Sequence, residues 1–162
     1  HHIEHTFNIK GFELSQNFTF FWDKFEKANY FYENILQTAN EPLTSRKVAF
    51  LLQTPQQDGG QWDMLVGIIQ KYGIVPKSVM PETFSSSKSK DLNVYLNKKL
   101  RKDAITLRDL IKENASESTI AETKECMLQE IYNLLATTLG TPPETFDFSY
   151  VDTDGNYKFR QN

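Results

Sequence analysis

The 162-residue sequence has one cysteine, Cys126, and three histidines, all of which precede it. A single cysteine excludes an internal disulfide and is typical of a reducing compartment, so we expect a cytoplasmic protein. No apolar run approaches the roughly 18 residues of a membrane span. The opening H-H-I-E-H also lacks the hydrophobic region of a signal peptide. We therefore expect no membrane partner.

Charge and motif content also exclude several functions. The net charge is −3 and the pI is about 5.6, which gives no electrostatic reason to expect a nucleic-acid partner. His1 and His5 flank Glu4, but not in the H-E-x-x-H order of a zinc site. The segment at Asp152 lacks the glycine and glutamate positions of a calcium loop and predicts a turn. We expect no metal and no cofactor.

Aromatic residues are plentiful, with 12 Phe, 7 Tyr and 2 Trp. Ser15 is a helix cap residue, and the spacing that follows predicts an amphipathic helix over 16–37. Its apolar stripe predicts the inward face, which comprises Phe18, Phe21, Trp22, Phe25 and Ala28. Its polar residues predict the solvent face, which comprises Asp23, Lys24, Glu26 and Lys27.

Further periodic segments predict a mostly helical chain that ends in a β-hairpin. Ser45 or Thr44 begins a short helix, and a second helix follows with an inward stripe of Trp62, Leu65, Val66, Ile69 and Tyr72. Residues 74–80 are expected to be extended. Two long helices at 91–139 form a predicted helical hairpin, and Cys126 is expected to be a buried structural thiol on the second of them. Alternation over 146–159 predicts the β-hairpin.

The segment 53–64, Q-T-P-Q-Q-D-G-G-Q-W-D-M, joins two of these helices. Adjacent glycines are used where φ must be positive or where another backbone has to come close. One interpretation is therefore a tight turn that caps the next helix, which the residues alone favour. The other interpretation is an exposed edge that pairs with an extended peptide through main-chain hydrogen bonds.

Several segments resemble the aminopeptidase C and bleomycin hydrolase family, a branch of the papain-like cysteine peptidases. The resemblance is carried by F-E-L-S-Q-N-F-T-F-F-W-D-K at 12–24, by the double-glycine segment at 53–64, and by K-Y-G-I-V-P-K-S-V-M-P-E at 71–82. It continues through 93–101 to the hairpin at 146–159. It implies an α+β, mostly helical fold that is part of a papain-like domain.

The resemblance also implies an organisation. Residues 1–84 would form the helical lobe with the cleft-edge loop, 85–145 a helical insertion, and 146–162 the start of the second lobe's β-hairpin. The function implied is that of a cysteine aminopeptidase acting on peptide substrates. Gly59 and Gly60 would contact the peptide backbone, with Gln61 and Trp62 beside a side-chain pocket. The insertion would contribute to a homo-oligomer, a hexamer in this family.

The order of residues departs from the family pattern at the catalytic centre. A papain-like triad places the cysteine first and its histidine and asparagine much later. No histidine follows Cys126 in this sequence. We therefore expect an internal fragment that has no catalytic residues. The alternative, which requires no enzyme, is a helical protein-interaction module.

Overall fold

The computed structural model describes residues 2–56 and 62–161. Seven helices and two strands lie within these ranges. They are α1 (His2–Phe7), α2 (Gln16–Gln37), α3 (Arg46–Gln53), α4 (Trp62–Tyr72), α5 (Phe84–Ser87), α6 (Lys90–Lys112), α7 (Glu117–Leu139), β1 (Asp147–Val151) and β2 (Tyr157–Gln161). The predicted fold class, mostly helical with one β-hairpin, is confirmed. None of the described helices is both long and apolar enough to cross a lipid bilayer.

Serine side chains begin three of the helices, and the caps at Ser15 and Ser45 are as the sequence predicts. Ser15, Ser45 and Ser116 each have extended backbone and accept a hydrogen bond from the backbone N–H three residues later. This satisfies one of the amide groups that the first helical turn leaves unpaired. Gly73 follows the last residue of α4 and has φ +81°. Gly140 is the C-terminal cap of α7 and has φ +90°.

Helix α2 lies at the centre of the hydrophobic core and packs against α6 and α7. Phe21, Tyr32 and Ile35 have no exposed surface, and neither do Leu96, Leu100 and Leu107 of α6 or Ile131 and Leu135 of α7. Burial at this level contributes roughly 1.5–3 kcal/mol for each large apolar side chain. The core therefore includes residues from both the predicted lobe and the predicted insertion.

The predicted solvent face of α2 is partly wrong. Lys24 is 2% exposed and Lys27 is 8% exposed, because neighbouring elements cover this side of the helix as well. The Lys24 ammonium lies 5.3 Å from the centre of the Phe20 ring, and Lys27 forms an ion pair of 2.9 Å with Asp23. Long lysine stems cover apolar surface while their charged ends remain paired.

Helices α6 and α7 form the predicted helical hairpin. Lys99 of α6 pairs with Glu130 of α7, and the chain reverses through residues 113–116, where Asn114 has φ +54°. Asparagine is one of the few non-glycine residues that adopt this left-handed conformation readily.

One side chain of α2 holds the base of this hairpin. The amide Nδ2 of Asn17 donates to the Pro81 carbonyl at 2.9 Å and to the Leu139 carbonyl at 2.7 Å. Thr83 adds a bond of 3.2 Å to the carbonyl of Thr138. The segment that leads into the hairpin and the end of α7 are thus fixed to the same point.

Three charged or polar side chains inside the core have hydrogen-bond partners there. The Tyr32 hydroxyl donates to Oδ2 of Asp103 at 2.6 Å, and Lys99 lies 3.0 Å from the same oxygen. Arg108, which is 5% exposed, donates to the carbonyls of Thr38 and Glu41 just after α2 ends. Buried polar groups are stable in a core when they have such partners.

The β-hairpin packs on the N-terminal segment through one face. Phe148 and Tyr150 of β1 meet Phe7 edge-to-face at centroid distances of 6.0 and 5.5 Å. In the antiparallel register Val151 lies opposite Tyr157. Residues 74–80 form no strand, and the predicted extended segment contains one isolated bridge, from Pro76 to Leu14.

Candidate substrate-cleft wall

Of the four residues predicted to contact substrate, Gly59, Gly60 and Gln61 lie outside the described residues. Trp62 is described, and it is the first residue of α4 with 74% of its surface exposed. A large aromatic side chain in this position can contact a bound molecule without rearranging the core. The structure thus describes the two flanks of the 57–61 segment and the helix that follows it.

The flank before this segment is anchored by two side chains that the sequence pattern did not single out. Gln56 is 6% exposed and its amide donates to the Lys24 carbonyl of α2 at 3.2 Å. Arg101 of α6 donates to the carbonyls of Leu52 and Gln53 at 2.7 and 3.0 Å. These bonds satisfy carbonyls that the last turn of α3 leaves unpaired. They also fix the position from which the chain leaves α3.

The flank after the segment is α4, which rests on α2. Ile68 is its buried residue. The predicted inward stripe is partly wrong, because Leu65, Val66 and Tyr72 are half-buried whereas Trp62 and Ile69 are exposed. The Tyr72 ring stacks on Trp22 with centroids 3.8 Å apart and planes within 8°. Because α4 packs mainly against α2, much of its apolar surface, including Trp62 and Ile69, remains exposed.

A charged cluster joins α4 to α2 at its C-terminal end. Lys71 and Tyr72 both donate to Oε1 of Glu26. Burial, together with the hydrogen bond to Glu26, raises the pKa of Tyr72 to about 12. The same carboxylate, through its hydrogen bond, raises the pKa of Lys71. Tyr72 therefore stays neutral and Lys71 stays charged across the physiological pH range.

Two cavities flank α4. One, of about 620 Å³, lies between α2, α3 and α4, and its base consists of Phe31, Leu51 and Ile68. The other, of about 580 Å³, lies on the opposite side of α4 beside Leu65 and Ile69. Apolar cavities with a few polar groups at one end are typical of binding sites.

Two segments from different parts of the chain come together next to this helix. The Ser15 amide donates to the Val75 carbonyl at 2.9 Å, and the Lys77 amide donates to the Glu13 carbonyl at 3.0 Å. The Ser15 hydroxyl also donates to the Met80 carbonyl. The F-E-L-S-Q segment and the Y-G-I-V-P-K segment are therefore in direct contact.

Cys126 is exposed, and the prediction of a buried thiol is wrong. The inward positions of α7 include Met127, Ile131 and Leu135. Cys126 precedes Met127 by one residue, which rotates it by about 100° away from the core. Adjacency in sequence to a buried residue did not imply burial.

The structure gives no metal site within residues 2–56 and 62–161, where no group of three His, Cys, Asp or Glu side chains is arranged to hold an ion. His1 lies outside the described residues. The turn at Asp152 has the predicted form, because its Oδ1 accepts from the amides of Asp154 and Asn156 at 3.0 and 2.8 Å. These bonds lower the pKa of the Asp152 carboxyl.

Comparison with known proteins decides the family. The family model described as the Peptidase C1-like family matches residues 1–162, which is the whole sequence. The chain belongs to the Peptidase C1-like family. The resemblance to aminopeptidase C and bleomycin hydrolase is confirmed.

Individual relatives of this Peptidase C1-like chain support the same family assignment. It is 60% identical over 158 residues to Aminopeptidase C of Listeria innocua, covering 98% of this chain and 35% of that protein. It is 44% identical over 153 residues to Bleomycin hydrolase of Rattus norvegicus, covering 93% of this chain and 34% of that protein. The crystal structure of PepW from Lactobacillus rhamnosis matches at a TM-score of 0.95 and 67% identity, over 98% of this chain and 36% of that one.

The match covers nearly all of this Peptidase C1-like chain but only part of each relative. The chain spans about 35% of the length of the curated relatives that it matches. Its high TM-score to PepW shows that the arrangement of α2, α4, α6 and α7 is that of the family.

Proposed function

We propose that this chain is a segment of a longer cysteine aminopeptidase that removes N-terminal residues from peptides. The match to Aminopeptidase C over 98% of this chain but 35% of that protein carries the proposal. In it, residues 1–84 supply one wall of the substrate cleft, 85–145 form a helical insertion, and 146–162 begin the second lobe. The catalytic Cys, His and Asn lie in other parts of the longer protein.

Within this proposal, Gly59 and Gly60 carry backbone that pairs with an extended substrate, and Gln61 and Trp62 border the pocket for its side chain. The exposed position of Trp62 supports this assignment. The anchors at Gln56 and Arg101 support it too, because a binding edge requires a fixed backbone.

The proposal extends to assembly and location. The insertion carries oligomer contacts, as in a hexamer, and the protein is cytoplasmic. Val94, Tyr95 and Ile105 of α6 support the assembly, because they are 47%, 58% and 62% exposed. Large apolar side chains at the surface of a helix are typical of contacts with another protein.

The first experiment tests Gly60→Ala in the longer enzyme. A methyl group at a cleft edge holds the peptide away from the backbone, which should cost about 2–3 kcal/mol in transition-state binding. We expect kcat/KM for an aminoacyl fluorogenic substrate to fall about 30- to 150-fold. The melting temperature should change little.

Gly155→Ala is the matched control. Gly155 lies in the hairpin turn with φ +84°, so a side chain there strains the backbone. We expect a lower melting temperature with normal kinetics. The same pattern for Gly60→Ala, with unchanged kcat/KM, would contradict the cleft role.

The second experiment assays the 162-residue chain with the same substrate. We expect no turnover. Turnover that is abolished when Cys126 is alkylated would contradict the fragment interpretation and the placement of the catalytic residues elsewhere.

A further inference from the structure

The end of α3 is held by a side chain from a distant part of the chain. Leu52 and Gln53 are the last two residues of α3, and Arg101 of α6 bridges their carbonyls. Its Nε donates to the Leu52 carbonyl at 2.7 Å and its Nη2 donates to the Gln53 carbonyl at 3.0 Å. A guanidinium has several donors in one plane, and its charge strengthens each bond. One side chain therefore fixes two consecutive peptide groups.

Helix α3 depends on this bridge because it is short and has no cation of its own at its C-terminal end. It has eight residues, of which Val48 and Leu51 are buried, and its last turn contains no basic residue. Helices of this length are marginal in water without tertiary support. The carbonyl end of a helix also carries partial negative charge, which a nearby cation stabilises. Arg101 supplies that cation from α6.

The guanidinium is attached to a closely packed part of α6. Leu100 directly before Arg101 and Ala104 three residues after it have no exposed surface. In the same turn, Asp103 accepts a hydrogen bond of 2.6 Å from the Tyr32 hydroxyl of α2. A functional group on a packed helix is positioned more precisely than one on a loop. The position of α6 on α2 therefore determines where α3 ends.

The bridged carbonyls lie a few residues before the double glycine. Gln56, three residues after Gln53, donates its side-chain amide to the Lys24 carbonyl of α2 at 3.2 Å. Gly59 and Gly60 follow Gln56 by three and four residues in the sequence. The chain that leads into the glycines is thus fixed twice, by α6 at Gln53 and by α2 at Gln56.

We propose that Arg101 is a positioning residue for the peptide-binding edge, because it fixes the end of α3 and so the backbone that leads into Gly59 and Gly60. This deepens the proposed function and rests on it for the role of the two glycines. Arg101 acts without touching the substrate. A displacement of about 1 Å in a binding group is enough to lower a rate by as much as about 100-fold. The helical hairpin thereby contributes to substrate binding as well as to folding.

Hydrogen exchange followed by peptide mass spectrometry tests the positioning step in the longer protein without measuring activity. Arg101→Met keeps an apolar stem and removes the guanidinium. Lys102→Met is the matched control, since Lys102 is the next residue, is exposed, and makes no hydrogen bond or ion pair within the part of the chain that the structure describes. We expect exchange across residues 50–56 to be at least about tenfold faster in Arg101→Met and to change less than about twofold in Lys102→Met. Unchanged exchange across α2 would show that both variants are folded.

Peptide kinetics of the same variants test the consequence for substrate binding. Contacts with the edge are made in the bound substrate and in the transition state alike, so a displaced edge should raise KM and leave kcat nearly unchanged. We expect kcat/KM for a tripeptide to fall about tenfold in Arg101→Met and to change less than about twofold in Lys102→Met. Arg101→Lys keeps the charge but has a single ammonium, which does not bridge both carbonyls, so it should resemble Arg101→Met.

Other results would overturn the proposal. Unchanged exchange across residues 50–56 in Arg101→Met would show that the bridge does not fix the end of α3. Faster exchange with normal kcat/KM would show that the binding edge does not depend on the bridge. Equal losses in Lys102→Met, or full activity in Arg101→Lys, would mean that charge alone is responsible. An unmodified longer protein that hydrolyses no peptide would contradict the proposed function before any variant is made, so the two failures are distinguishable.

Discussion

Helices α6 and α4 both lie against α2, yet they use this contact differently. Helix α6 buries seven of its 23 residues, and α4 buries one of its 11. The two buried charged residues of α6, Asp103 and Arg108, both have hydrogen-bond partners in the core. Helix α4 instead has cavities on both flanks. The contact of α6 with α2 is thus closely packed, whereas the contact of α4 with α2 is open on both flanks.

The largest expected effect contrasts one apolar residue from each helix. Leu100 of α6 has no exposed surface, so Leu100→Ala leaves a cavity and should lower the free energy of unfolding by about 2–5 kcal/mol. Ile69 of α4 is 38% exposed, so Ile69→Ala should cost less than about 1 kcal/mol. Urea unfolding of both variants measures the difference. Equal losses would show that α4 is as tightly packed as α6.

A second contrast uses two arginines of α6, each of which donates to carbonyls at the end of another helix. Arg108 is 5% exposed and bonds to Thr38, whereas Arg101 is exposed and bonds to Leu52. Arg108→Met removes a charged donor from the buried Thr38, whose carbonyl keeps only the Glu41 amide as a partner, and should cost about 1–3 kcal/mol. Arg101→Met leaves carbonyls that water can reach, so its cost should stay below about 1 kcal/mol. Thermal unfolding distinguishes them, and a larger loss for Arg101→Met would reverse the interpretation.

The pKa values of two tyrosines, one beside α6 and one on α4, extend the comparison of the two helices to pH dependence. Burial, followed by its hydrogen bond to Asp103, raises the pKa of Tyr32 in the core, and the pKa of Tyr72 beside α4 is raised to about 12. A group whose folded pKa is raised contributes stability that is complete below its unfolded pKa and is lost as the pH rises toward the folded value. For Tyr72 this loss should occur between pH 10.0 and about 12.

Ultraviolet titration of Tyr72→Phe and Tyr32→Phe checks this prediction. We expect the transition near pH 12 to be missing from Tyr72→Phe and retained in Tyr32→Phe. We expect Tyr32 to ionise only when the chain unfolds. A transition at the ordinary tyrosine pKa that disappears in Tyr72→Phe would show that the Glu26 cluster does not form.

The smallest expected effect belongs to Cys126 on the outer side of α7. Because the thiol is exposed, Cys126→Ser should change stability by less than about 0.5 kcal/mol. A thiol reagent should label Cys126 in the native chain nearly as fast as in denaturant. Slow native labelling would show that the thiol is buried.

The sequence predicted the features that depend on local chemistry. Helix α2 spans Gln16–Gln37, as its periodicity and its Ser15 cap indicate, and the hairpin turn at Asp152 forms as predicted. These features depend on hydrogen bonds between residues a few positions apart. Capping and turn patterns report such bonds directly.

The predictions that were wrong or incomplete concern residues whose burial depends on packing against distant parts of the chain. Lys24 is buried because other elements cover α2 on more than one side, and the periodicity of α2 alone does not contain that information. The stripe of α4 predicted five inward residues, of which Trp62 and Ile69 are exposed. The reason is that α4 packs mainly against α2, a contact that the periodicity of α4 alone does not report. Gln56 carried no motif, so its role beside 57–61 became evident only from its bond to Lys24.

The paired bonds of Asn17 have a practical consequence for protein engineering. This one side-chain amide donates to the carbonyls of both Pro81 and Leu139. It therefore ties the segment before the helical hairpin and the end of the hairpin to α2. At the far end of the hairpin the chain reverses direction through residues 113–116. Asn114 has a positive φ there, and Ser116 caps the start of α7. We expect that a peptide tag or fluorescent reporter inserted at that tip would extend away from the base. The Asn17 bonds that fix the hairpin to α2 would then be unchanged.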